Sequence, residues 1–72
     1  MNARELGGLV ELAIRDARES ADRSAVARAW LSVFDEEVIP ELARALGDET
    51  TAGAEEITRP CTAALQHIAD ES

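Results

Sequence analysis

The apolar residues of this chain recur at helical spacing, and near Pro40 their stripe abruptly changes direction. At about 100° per residue, Leu6, Leu9, Val10, Ala13, Ile14, Ala17 and Ala21 fall in one sector of a helix over residues 4–22. The charged residues take the other side, where Glu11, Arg15, Glu19 and Arg23 follow one another at i,i+4. Gly7 and Gly8 would each cost that helix about 1 kcal/mol relative to Ala. The first turn is therefore expected to fray or to start after them, unless the glycines admit the close approach of another helix.

Asp22 or Ser24 can cap a second helix over 24–38, with Val26, Ala27, Trp30, Val33, Phe34 and Val38 on one stripe. Ile39, Leu42 and Leu46 centre about 120° away from it, so a straight helix cannot bury both halves. Proline lacks the backbone donor and disfavours helical angles at Ile39. A break or strong kink is expected, with Pro40 opening a short helix over 40–46 that Gly47 ends. After a loop over 47–53, a last helix over 58–70 turns Ile57, Cys61, Ala64, Leu65 and Ile68 inward. Pro60 suits its first turn, with Thr58 as cap and Ile57 packing from outside. A helical turn over 54–57 can precede it. No strand-like alternation and no internal repeat occurs. The expected fold is all-α: a small bundle of three helices, the second split near Pro40 to give four rods.

Seventy-two residues make one domain, 1–72, near the lower limit of independent folding. Large apolar side chains are sparse, with one Trp, one Phe and no Tyr, and Ala fills many inward positions. A core that thin barely outweighs chain entropy, so a homo-oligomer, most simply a dimer through the second helix, is expected to complete it. The single Cys61 forbids an internal disulfide, and no signal-like or membrane-length apolar run occurs, so the expected setting is the cytoplasm.

Charge says most about partners. Residues 1–34 carry five Arg and five acids and are neutral, whereas residues 35–56 carry eight acids against Arg44 alone. Such a field repels nucleic acid and attracts basic surfaces. Direct nucleic-acid binding is further disfavoured because the Arg residues of the first helix are interleaved with acids.

No residue set demands chemistry. Cys61 lies on the apolar stripe, and His67, six residues on and about 120° around the same helix, cannot serve it as a base. His67 with Asp70 and Glu71 forms a poor ligand set, without a second His or a Cys pair, so no metal and no cofactor is expected. The acidic run lacks the alternate-residue spacing of a calcium loop. Glu37 is the oddity, because an uninterrupted helix would aim it into the apolar stripe beside Trp30 and Val33. Either the helix deviates before Pro40, or Glu37 meets an Arg. Leu12 is the converse, an apolar residue among the charges.

The expectation is a non-catalytic acidic interaction module, an adaptor or inhibitor, that docks on a basic protein surface, with nucleic-acid mimicry as one version. Its partner-binding residues would be Asp35, Glu36, Glu37, Glu41, Trp30 and Leu12. The alternative is an accessory subunit or structural homo-oligomer of a larger cytoplasmic assembly.

Overall fold

The computed structural model describes residues 2–47 and 49–71. Helix α1 runs Ala3–Glu19, α2 Arg23–Val33, α3 Ile39–Leu46 and α4 Ala52–Ala69, with a π turn over Phe34–Val38 joining α2 to α3. The chain is thus a small all-α bundle of three helices in four pieces, and no described residue lies in a strand.

The π turn is what the direction change of the apolar stripe encodes. Its bonds span five residues, as in the Ile39 N–H donating to the Phe34 carbonyl, and this accommodates one extra residue per turn. One extra residue rotates everything downstream by about 100°. That rotation lets Phe34 and Val38 on one side, and Ile39, Leu42 and Ala43 on the other, all be buried. The expected break is therefore corrected to a widened turn. Ile39 keeps helical angles (φ −62, ψ −48) despite the proline that follows it. The wider turn also relieves crowding between the Pro40 ring and the carbonyls behind it. Glu37, carried around with the turn, is exposed instead of entering the core.

Both ends of α1 and the start of α4 differ from expectation. The α1 helix begins at Ala3, before both glycines, because the Asn2 side chain accepts from the Glu5 N–H at 2.9 Å. It stops at Glu19, since Ser20 is extended and accepts from the Asp22 N–H at 3.1 Å, leaving Ala21 exposed in the turn. Asp22 then caps α2 by accepting from the Ala25 N–H at 3.2 Å.

The largest shift is at α4, which starts at Ala52 where a start at residue 58 was expected. The Glu55 N–H donates to the Thr51 carbonyl at 2.8 Å, and the Thr51 hydroxyl reaches the Glu55 carboxylate at 3.1 Å. Pro60 then lies inside the helix, tolerated because it and Glu56, one turn earlier, are on the solvent side. The carbonyl deprived of a donor there can be hydrated. Thr58 is a core residue and no cap: it is 1 % exposed, and its hydroxyl donates to the Ala54 carbonyl at 2.9 Å. Ile57 is half exposed. Gly47 ends α3 in the left-handed conformation (φ 75), as its residue type favours.

The main core gathers Ala13, Ala17, Ala27, Phe34, Val38, Cys61, Leu65, Ile68 and Ala69. A smaller core of Ile39, Leu42, Ala43 and Ala54 closes the α3–α4 end, and Leu6 packs against both. Where α4 ends against the start of α2, buried Ser24 donates to the Ala69 carbonyl at 2.8 Å, and Arg28 reaches the same oxygen at 3.4 Å. A helix C-terminus is thereby supplied with donors and a positive charge.

Candidate functional site

The acidic segment occupies the π turn, α3, the loop after it and the first turns of α4. Asp35, Glu36, Glu37, Glu41, Glu49, Glu55 and Glu56 are all exposed, and Asp48 lies outside the described residues. The bundle forces this arrangement. The π turn places Phe34 and Val38 inward, so the three acids between them share its outer surface. The ion pairs among the described residues lie elsewhere: Arg15–Glu11 at 3.5 Å, Arg23–Glu71 and His67–Glu71 each at 3.8 Å. The described acids of residues 35–56 thus face solvent without an ion pair among the described residues.

The six residues singled out from the sequence do not converge on one spot. Asp35 edges a groove between the π turn and α4, with Ile39, Glu55, Thr58 and Arg59. Glu36, Glu37 and Glu41 are exposed on the π turn and the first turn of α3. Trp30 faces α1. Its indole N–H donates to the Asp16 carboxylate at 2.9 Å, and its ring shares a shallow hollow with Val26, Ala29 and Val33. Leu12, 53 % exposed, lies one helical turn before Asp16 and so on the same flank of α1. Leu12 and Trp30 therefore belong to the α1–α2 flank, while Asp35, on the π turn, is turned towards α4. Phe34 and Leu42, at 0 % and 6 % exposure, are core residues and offer no anchor to a partner.

Sequence reasoning missed Glu55 and Arg59 opposite Asp35, and Asp16 beneath the indole. Periodicity within a helix reveals its faces, but the residue met on the next helix depends on axial alignment, which no spacing encodes.

Cys61 is buried, and burial pushes its thiol above the usual 9.0. Its contribution to stability is complete below that value and declines as pH rises through the elevated folded one. A thiol of this kind is a poor nucleophile near neutrality. His67 is exposed and within reach of Glu71. Among the described residues, no three His, Cys, Asp or Glu side chains are grouped as a metal ion would require. No helix is long and apolar enough to cross a membrane among the described residues.

The chain matches no protein-family model, and no curated protein or solved structure matches it at a significant level.

Proposed function

We propose that this chain is a non-catalytic acidic interaction module that works in the cytoplasm by docking the π turn and α3 on a basic protein surface. The observation that carries the reading is the set of exposed carboxylates over residues 35–56, on a chain whose described ion pairs all lie elsewhere. Excess charge of one sign destabilises a small fold through self-repulsion and gains nothing inside it, whereas towards a basic partner it accelerates encounter. A nucleic-acid-binding protein is one form such a partner takes, with the carboxylates standing in for phosphates.

The test is capture from the native cell on wild-type chain and on the Asp35→Lys, Glu36→Lys, Glu41→Lys variant, followed by binding kinetics on the protein retained. The reading expects a partner held by the wild type and lost by the variant, with an on-rate that falls as salt rises. Competition by duplex DNA would identify the mimicry version. A partner that binds both chains with equal kinetics at every salt concentration would end the electrostatic reading.

A further inference from the structure

We infer that the exposed side of α1 is a self-association surface, on which a second copy of this chain packs its own α1 antiparallel about a two-fold axis beside Ile14.

The α1 helix is only half used by its own bundle. The residues it buries fully are Ala13 and Ala17, while Leu6, Leu9, Val10 and Ile14 remain partly exposed at the margin of the core. Along this margin Gly7, Val10, Glu11, Ile14, Arg15 and Arg18, all of α1, form one open face that no other element of the bundle covers. Gly7 and Gly8 sit within the helix, yet a Cβ at either would meet nothing within 4 Å. Their lack of a side chain serves no contact inside the chain, although each weakens the helix. It leaves the α1 backbone open to close approach from outside.

Charge decides what approaches. The whole chain carries −8, concentrated over residues 35–56, so two copies repel one another through most of their surfaces. Residues 1–34 are neutral, and along this face of α1 Glu11, Arg15, Arg18 and Glu19 supply two charges of each sign. Glu11 precedes Ile14 by three residues and Arg18 follows it by four. A two-fold axis beside Ile14 therefore sets Glu11 of each copy opposite Arg18 of the other, with Ile14 meeting Ile14 at the centre. Arg18 forms no ion pair among the described residues, and the Arg15–Glu11 pair is solvent-exposed, so both partners are available. A basic partner would face Arg15 and Arg18 here, which separates this surface from the acidic one. Pairing through the second helix, expected from the sequence, would instead use the half-exposed Val26, Trp30 and Val33, a surface without the paired opposite charges of α1.

One helix pair makes a small interface, so the dimer should be weak and concentration-dependent. Sedimentation equilibrium across a wide concentration range tests it on four chains. Wild type should approach dimer as concentration rises. Glu11→Arg and Arg18→Glu should each weaken association about tenfold or more, since each sets like charges together twice across the axis. The double variant, Glu11→Arg with Arg18→Glu, should recover wild-type association. Circular dichroism confirms that each variant is folded. A wild type that stays monomeric at its highest soluble concentration overturns the inference. So does a dimer indifferent to the single changes, or a double variant that is not rescued. The acidic-segment reversal should leave this association intact or strengthen it, so the two surfaces are tested separately.

Discussion

The helices α1 and α4 are nearly equal in length, at 17 and 18 residues, and both are amphipathic, yet the bundle uses them differently. From α4 it buries Ala54, Thr58, Cys61, Leu65, Ile68 and Ala69; from α1 it buries only two alanines. Small residues at the centre of the α1 contact let the backbone come close, which pushes the larger side chains to the edges, where they keep contact with water. An apolar stripe on a wheel therefore indicates which way a helix faces, but not how deeply it is sunk.

The comparison breaks most visibly under truncation. Leu65→Ala removes a side chain that is 0 % exposed in the main core and should destabilise by about 2–5 kcal/mol. Ile14→Ala on α1, half exposed, should lose only about 1 kcal/mol, since less area leaves water to begin with. Urea unfolding followed by circular dichroism reads both. Equal losses would mean that α1 is as firmly seated as α4. Trp30 belongs with Ile14 here, because its half-buried ring keeps Trp30→Ala below the 3–5 kcal/mol that a fully enclosed aromatic would give.

The converse experiment enlarges an alanine. Ala17 is 0 % exposed where α1 meets the core, so Ala17→Leu should overpack and cost about 1–3 kcal/mol. The same change at Ala63, exposed on α4, should leave stability nearly unchanged. If Ala17→Leu were neutral, α1 would be able to lift away from the bundle at little expense.

The all-α class, three helices and the division near Pro40 were legible because apolar spacing, Asp22 and Gly47 all act within one stretch of chain. What the spacing recorded at Pro40 was a rotation, and a rotation is compatible with a break, a kink or a π turn. Only the bonding partner of Ile39 distinguishes them. Pro60 misled for a related reason: a proline is read as a helix start unless its missing donor faces water, and exposure depends on tertiary packing. At the acidic segment the sequence revealed which residues carry charge, but not that Asp35 turns towards α4 while Trp30 turns towards α1.

The π turn offers a smaller and more specific test. If it holds one extra residue, deleting Glu36 together with Pro40→Ala should restore an ordinary α-helix with both apolar faces still inward. Stability should then stay within about 1 kcal/mol of wild type. Deleting Ala29 instead, in the regular part of α2, should rotate the preceding turns out of register by about 100° and abolish cooperative unfolding. Comparable damage from both deletions would reject the inserted-residue account.

The smallest expected effect separates charge from packing. Asp35, Glu36 and Glu41 are exposed, so reversing all three to Lys removes no buried contact. What changes is the field: residues 35–56 move from −7 to −1, since each reversal contributes two units. Repulsion among the remaining acids falls, and the folded state, which holds them closer together than the unfolded chain does, gains more than the unfolded state. Stability should therefore rise slightly at low ionic strength, by about 0.5 kcal/mol in all. The gain should fade as salt shortens the Debye length to about 8 Å near 0.15 M. Thermal unfolding of wild type and variant at low and high salt measures it. Should the variant be less stable at both, one of these carboxylates holds the fold together, and the segment is then structural before it is a docking surface.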